Sequence, residues 1–138
     1  MARDAFHNAV KVALQKDGWT ITADPLQMKF GKLDLYIDLG AEQVIGAEQN
    51  GQKIAIEIKS FLGQSAVTEF HRAVGQFISY RDVLRVVEPE RVLYLAVPQL
   101  IYDNFFQVQE FAQLVVQTNQ IKLIVYNPVV ETIVQWIN

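Results

Sequence analysis

Cysteine is absent from the 138 residues of this chain, and histidine occurs only at His7 and His71. The absence of cysteine excludes thiolate catalysis, disulfide bonds and zinc–thiolate sites, and it is compatible with a reducing compartment. Two histidines are too few for a histidine-rich metal site. A metal site in this chain would therefore have to use mainly oxygen ligands.

An excess of positive charge and a long apolar run are also missing. Twelve Lys and Arg against fifteen Asp and Glu give a net charge of −3, so no overall positive field attracts the chain to nucleic acid. We find no basic recognition helix, which argues against a simple sequence-specific DNA-binding module. No apolar run approaches membrane-spanning length, so we expect a soluble, cytoplasmic protein with no membrane partner.

The hydrophobic pattern predicts one α/β domain over residues 1–138, with a mixed β-sheet flanked by helices. With 51% hydrophobic residues the chain can bury a core of its own. The predicted helices cover residues 4–17, 65–87 and 103–118. The predicted strands cover residues 19–22, 44–48, 54–59, 91–97, 121–126 and 130–137, and the stretch up to residue 39 is strand or extended loop. The near-continuous apolar run at 91–97 predicts a central strand.

The predicted strand at 54–59 combines an apolar face with two charged residues. Ile54, Ile56 and Ile58 alternate with Glu57 and Lys59, so the carboxylate and the ammonium lie side by side on one face. A metal-dependent phosphodiesterase needs such a pair, an oxygen ligand for a hard cation and a lysine beside the attacking water. The alternative is the solvated face of an antiparallel strand.

This arrangement of elements resembles the core of the PD-(D/E)XK nuclease superfamily over about residues 4–97. In the helix that follows the E-x-K strand, Gln76 and Tyr80 resemble the Q-x-x-x-Y element of the RecB-type branch. Glu69 and Arg72 share their helical face, which we expect to look toward the E-x-K strand. The alternative for this polar stripe is a solvated helix face.

Segments along nearly the whole chain are similar to the XisH family, the cyanobacterial fdxN-element excision-controlling factors. They comprise residues 2–4, 6–10, 17–19, 35–42, 57–61, 75–77, 92–98 and 134–138. The resemblance implies a role in DNA rearrangement, with DNA and a protein of the excision system as partners. Two hypotheses follow: a Mg²⁺- or Mn²⁺-dependent endo- or exodeoxyribonuclease, or a catalytically silent scaffold or regulatory subunit that supports a separate recombinase.

For the nuclease, the superfamily resemblance implies a catalytic set of one upstream acid with Glu57 and Lys59. The acid and Glu57 would bind Mg²⁺ or Mn²⁺ with the Ile58 carbonyl, and Lys59 would orient or deprotonate water. Gln76 and Tyr80 would support this set.

Three residues compete for the upstream acid. Asp38 lies where the superfamily places its aspartate, and we favour it over Glu42 and then Asp34. A two-residue turn at Asn50-Gly51 would pair Glu42 with Lys59, which makes Glu42 the choice of strict register. Asp34 lies on an alternating strand, where a solvent-facing residue is the simpler interpretation.

Two further features concern the ends of the chain. We place His7 on the helical face opposite Val10 and Leu14, and expect a surface or capping histidine rather than a support for a metal site. The apolar residues of segment 130–138 predict pairing at a sheet edge, and hence a homodimer.

Overall fold

The computed structural model describes residues 4–43 and 51–138, and helices flank a mixed β-sheet, as predicted. The helices are α1 (His7–Lys16), α2 (Ala66–Val87), α3 (Gln99–Ile101) and α4 (Glu110–Thr118), with a π-helical turn at Tyr102–Phe106. The strands are β1 (Thr20–Ala23), β2 (Leu26–Phe30), β3 (Leu33–Ile37), β4 (Leu39–Gln43), β5 (Gln52–Ile58), β6 (Arg91–Pro98), β7 (Leu123–Asn127) and β8 (Thr132–Ile137). Within the described ranges no helix is long and apolar enough to cross a membrane.

Six strands form one sheet in the order β1-β4-β5-β6-β7-β8. The pairs β5–β6 and β6–β7 are parallel, and the other pairs are antiparallel. The prediction that the apolar run at 91–97 is a central strand is confirmed by β6. Because parallel strands need a crossover, α2 returns the chain from the end of β5 to the start of β6. The carboxyl ends of β5, β6 and β7 therefore meet at one edge of the sheet, here called the carboxyl edge.

The sheet is covered on both faces, and β5 contributes to both layers. Ile54, Ile56 and Ile58 pack in the core beneath α1, together with Val10 and Leu14 of that helix. Ala55 belongs instead to the core beneath α2 and α4. Because side chains alternate along a strand, Glu57 faces the α2 side as Ala55 does.

Aromatic side chains fill the core beneath α2. Phe70 is fully buried and contacts the rings of Phe105, Phe106 and Phe111, with centroid distances of 5.5, 5.5 and 5.6 Å. Edge-to-face and tilted contacts of this kind add to the free energy gained by burial alone. This cluster fixes α2 against the segment that follows β6, and so fixes the helix face that looks at β5.

Local signals set the ends of the first two helices. The predicted helix at 65–87 is confirmed: Ser65 is the N-cap of α2, and its hydroxyl accepts a hydrogen bond from the Thr68 N–H at 3.2 Å. Pro89 follows the last turn. After α1 the chain turns at Gly18, whose φ of 89° favours glycine.

The prediction of one continuous helix over residues 103–118 is wrong. The helical segment starts earlier, at Gln99, widens to the π-helical turn and is interrupted before α4 begins at Glu110. Phe105 and Phe106 are adjacent in sequence and both buried. A wider π turn brings neighbouring residues closer to one face than a regular α-helix does, which explains the departure from α-helical periodicity.

The stretch up to residue 39 forms a hairpin outside the main sheet. Among the residues that the structure describes, strands β2 and β3 pair only with each other, from Leu26 opposite Ile37 to Phe30 opposite Leu33. Gly31 has a φ of 63° at the first position of the two-residue turn, as type II′ hairpins require. The base of this hairpin packs on α2 through buried Leu26 and Met28.

Replacing Phe70 with alanine should remove the centre of the aromatic cluster. We expect Phe70→Ala to lower the free energy of unfolding by about 3–5 kcal/mol, because the cavity is lined on several sides by rigid rings. Urea denaturation followed by circular dichroism measures this change. Val86→Ala on the exposed side of α2 is the control, and an equal loss in both variants would contradict the assigned core.

Candidate functional site

The β4–β5 pairing brings two acidic residues together at the carboxyl edge. Leu39 and Ile56 form the last pair at this end of the ladder. Asp38, just before β4, and Glu57 of β5 are the next two residues beyond that pair. Asp38 Oδ2 accepts a hydrogen bond of 2.7 Å from the Ile58 N–H. This bond extends the contact between the two chain segments beyond the last ladder pair, and it holds the Asp38 carboxylate beside β5.

The predicted register of this hairpin is wrong. Glu42 pairs with Lys53 and not with Lys59, and Gln43 pairs with Gln52, which leaves residues 44–51 to connect the strands. The connection is therefore longer than a two-residue turn at Asn50-Gly51. The predicted strand at 44–48 and Asn50 itself lie outside the described residues.

Glu57 is a buried carboxylate with an incomplete set of partners. Its exposed fraction is 6%, and Oε1 lies 3.5 Å from Lys59 Nζ. The other oxygen, Oε2, is buried and has no hydrogen-bond partner among residues 4–43 and 51–138. The alternative interpretation, a solvated strand face, is thus wrong for Glu57, since α2 covers that side of the sheet.

Burial and mutual repulsion govern the ionisation of this acid pair. Burial, followed by the neighbouring Asp38 carboxylate, raises the pKa of Glu57 to about 8, and the nearby Lys59 only partly opposes this shift. Burial also raises the pKa of Asp38, against the effect of the Ile58 N–H. A site with two such carboxylates has a strong electrostatic preference for a cation or for a shared proton.

Helix α2 brings Tyr80 near enough to this pair for the two carboxylates to affect its ionisation. Tyr80 has a raised pKa because of its burial and then because of the negative charges of Glu57 and Asp38. Gln76 lies one turn earlier, and its buried Oε1 has no hydrogen-bond partner in the described part of the chain. The other two residues of the predicted stripe are elsewhere: Glu69 accepts from the Gly63 N–H, and Arg72 is exposed.

The backbone around Lys59 is held on both sides. The Lys59 N–H donates to the Ala96 carbonyl at 3.0 Å, and the Tyr126 hydroxyl donates to the Lys59 carbonyl at 3.1 Å. The following N–H, that of Ser60, donates to Asp4 Oδ2 at 2.9 Å. These contacts fix the position from which the Lys59 side chain extends toward Glu57.

The expectation of a surface histidine at position 7 is wrong. His7 is 4% exposed, and its Nε2 lies 2.8 Å from Asp24 Oδ1, while Lys11 donates to Asp24 Oδ2 at 2.9 Å. His7 Nδ1 is buried without a hydrogen-bond partner in the described ranges. The sequence contained a signal for this, because residues 7, 10 and 14 follow the i, i+3, i+7 spacing of one helical face and therefore share it.

The other two candidate acids lie away from Glu57. Asp34 is exposed on β3, opposite Lys29. Glu42 lies near the opposite end of β4, with Oε1 3.9 Å from Arg91 Nη2. Of the three upstream acids considered, the structure brings only Asp38 next to Glu57.

The oxygen donors at the Asp38–Glu57 site fit a hard cation that takes only a few of its ligands from the protein. Within residues 4–43 and 51–138 no group of three or more His, Asp and Glu side chains is arranged to hold a metal ion. Asp38 and Glu57 supply two carboxylates, and in an extended strand the Ile58 carbonyl points to the same side of β5 as the Ile58 N–H that reaches Asp38. Mg²⁺ is commonly bound by one or two carboxylates, with water and substrate phosphates completing the shell.

Comparison with known proteins identifies the family. The sequence model of the XisH protein family matches residues 1–134 of this chain. The chain belongs to the XisH family. Among curated proteins none matches.

Two crystal structures of XisH-type proteins are similar over almost the whole chain. An XisH family protein from Nostoc punctiforme PCC 73102 is 50% identical, with a TM-score of 0.89, and the match covers 98% of this chain and 100% of that one. An fdxN element excision controlling factor protein from Anabaena variabilis is 53% identical, with a TM-score of 0.87, and the match covers 99% and 100%. The fold described above is thus shared with solved XisH structures.

The raised pKa of Glu57 predicts how stability depends on pH in metal-free solution. Because the folded-state pKa of about 8 exceeds the ordinary value of 4.5, the folded protein keeps this proton while the unfolded chain releases it. The stabilisation is complete below about pH 4.5 and is lost as the pH rises through about 8. We expect the free energy of unfolding to fall over this range in wild type, and to fall less in Glu57→Gln, as measured by urea denaturation in EDTA.

A surface variant provides the comparison. Glu90→Gln removes an exposed carboxylate whose ion pair with Lys53 spans 3.9 Å, so it should keep the wild-type pH dependence. Equal pH dependence in wild type and Glu57→Gln would contradict the raised pKa.

Proposed function

We propose that this XisH family chain is a metal-dependent phosphodiesterase that acts on DNA during excision of a genetic element. The observation on which the proposal rests is the pairing of half-buried Asp38 with buried Glu57, with Lys59 Nζ 3.5 Å from Glu57 Oε1 and with Glu57 Oε2 unpartnered in the described ranges. Placing a half-buried and a buried carboxylate side by side costs stability, so a cation-dependent role offers a reason for the arrangement.

Each residue of the site has a part in this proposal. Asp38, Glu57 and the Ile58 carbonyl would hold Mg²⁺ or Mn²⁺, which when bound polarises the phosphoryl oxygens and lowers the pKa of water. Lys59 would orient the attacking water or take a proton from it. Gln76 and Tyr80, on the covering helix, would support this set of residues.

The arrangement of elements supports a PD-(D/E)XK type of core. Helix α1, the antiparallel pair β4–β5 with E-x-K at the end of β5, helix α2 and the parallel strand β6 follow in the order that the superfamily resemblance implies. In open α/β sheets, ligands bind at the carboxyl ends of strands. Glu57 and Lys59 lie at the carboxyl end of β5, and Asp38 lies beside them, just before β4.

The biological setting of the proposal comes from a relative. The Anabaena variabilis protein is described as an fdxN element excision controlling factor, and it shares 53% identity with this chain. We infer that this chain has a similar controlling role in excision, with DNA and a protein of the excision system as partners.

A catalytically silent regulatory subunit is the second candidate. The net charge of −3 favours it, because a nuclease gains affinity for its substrate from positive charge. In this case the chain keeps the nuclease-like core and supports a separate recombinase.

Replacing Lys59 distinguishes the two candidates. If the chain is a nuclease, Lys59→Ala should lower Mn²⁺-dependent cleavage of DNA by about 100-fold or more, because the group beside the attacking water is lost. The fold should be retained, since Lys59 follows the last residue of β5 and its side chain is partly exposed. Cleavage is measured on single-stranded, duplex and branched DNA with Mg²⁺ or Mn²⁺, with Lys53→Ala at the start of β5 as the control.

No cleavage by wild type on any of these substrates would favour the regulatory subunit. Equal cleavage by wild type and Lys59→Ala would show that any nuclease activity arises elsewhere.

Cation binding can be tested independently of cleavage. Mn²⁺ at about 100 times its dissociation constant should stabilise the wild-type fold by about 2.7 kcal/mol, since it binds the folded site and relieves the repulsion between Asp38 and Glu57. Thermal melting with and without Mn²⁺ measures this. Glu57→Gln and Asp38→Asn should abolish the response, whereas Asp34→Asn should keep it. A full response in Glu57→Gln would place the cation elsewhere.

A further inference from the structure

The β2–β3 hairpin extends past the body of the protein. On its inner face Met28 is 2% exposed, but Phe30, two residues farther on, is 48% exposed, and Leu33 opposite it is 67% exposed. The apolar row that packs on α2 at the base of the hairpin therefore continues beyond the packed region. Phe30 and Leu33 form an apolar pair at its tip.

Two lysines flank this apolar pair. Lys29 lies on the outer face of β2, and Lys32 lies in the two-residue turn; both are exposed. Neither takes part in an ion pair within residues 4–43 and 51–138, although Asp34 is opposite Lys29. The tip thus presents two cations in a chain whose net charge is −3.

Both ends of the hairpin are held by side-chain contacts, and the second end leads directly into the candidate site. Asp24, before β2, is bonded to His7 and Lys11, and Asp38, after β3, is bonded to the Ile58 N–H. From Asp38 to Leu33 the chain extends for five residues, or about 17 Å at about 3.3 Å per residue. A polymer bound at the site can therefore reach the tip, whereas a small phosphodiester cannot.

We propose that this hairpin is a DNA-binding arm that lies in the major groove of duplex DNA bound at the Asp38–Glu57 site. The inference rests on the proposed function for its choice of DNA as the ligand. A two-stranded ribbon fits the major groove, where Lys29 and Lys32 contact phosphates and the Phe30–Leu33 pair contacts the apolar edges of bases. Two apolar side chains are too small a surface for a stable protein dimer, which buries about 800 Å² on each partner.

Duplex binding by arm variants tests the inference. Fluorescence anisotropy of a labelled duplex is measured in CaCl₂ over a range of salt concentrations, with the labelled strand checked for integrity. Lys29→Ala/Lys32→Ala should weaken binding about tenfold or more at low salt, and should reduce the slope of log K against log[salt] by about 2, because two phosphate contacts are lost. Phe30→Ser/Leu33→Ser should weaken binding with no change in slope.

The control removes two positive charges from the opposite edge of the sheet. Lys53→Ala/Arg85→Ala changes exposed residues near the start of β5 and the end of α2, and it should bind duplex as wild type does. Asp34→Asn should tighten binding, since it removes the negative charge opposite Lys29.

Several outcomes would overturn the inference. They are wild-type affinity and slope in Lys29→Ala/Lys32→Ala, an equal loss in the Lys53→Ala/Arg85→Ala control, or no binding of duplex by wild type. Arm-dependent binding to phosphatidylserine vesicles without binding to duplex would assign the arm to a membrane surface instead.

The inference and the proposed function fail separately. Arm-dependent duplex binding without cleavage would keep the arm and reject the phosphodiesterase. Lys59-dependent cleavage with arm-independent binding would keep the phosphodiesterase and reject the arm.

Discussion

The hydrogen bond from the Ile58 N–H to Asp38 Oδ2 determines the geometry on which the candidate site depends. It joins the segment before β4 to the end of β5, one step beyond the last ladder pair, and it fixes one carboxylate beside the other. In an extended strand the Ile58 carbonyl points to the same side of β5 as this N–H. Asp38 lies between β3 and β4 and belongs to neither strand. Without this bond its carboxylate could turn away from Glu57.

The burial of Glu57 follows from the position of β5 within the sheet. This strand is paired on both sides, with α1 on one face and α2 on the other, and it is buried on both faces from Ile54 to Ile58. Carboxylates placed on such a strand lose solvation, and a second acid beside them raises the cost of ionisation further. The same burial destabilises the charged pair, and the cation dependence proposed above rests on this cost.

Local patterns predicted some elements well and others poorly. The helix that became α2 was predicted from its apolar periodicity, with Pro89 beyond its end, and β6 from its continuous apolar run. The helix predicted at 103–118 failed because Phe105 and Phe106 are both buried, which α-helical periodicity does not anticipate. The buried state of His7 was missed although its spacing from Val10 and Leu14 indicated it.

The sequence by itself determined the α/β class, the E-x-K pair on one strand face and the Gln76–Tyr80 spacing on one helix face. These depend on periods of two and 3.6 residues, which are properties of the local backbone. Only the tertiary structure decided that Asp38 rather than Glu42 lies next to Glu57, and that Glu57 is buried. Strand register depends on the length of the whole β4–β5 connection, and burial depends on helices distant in sequence, so neither can be obtained from the residues of the strand alone.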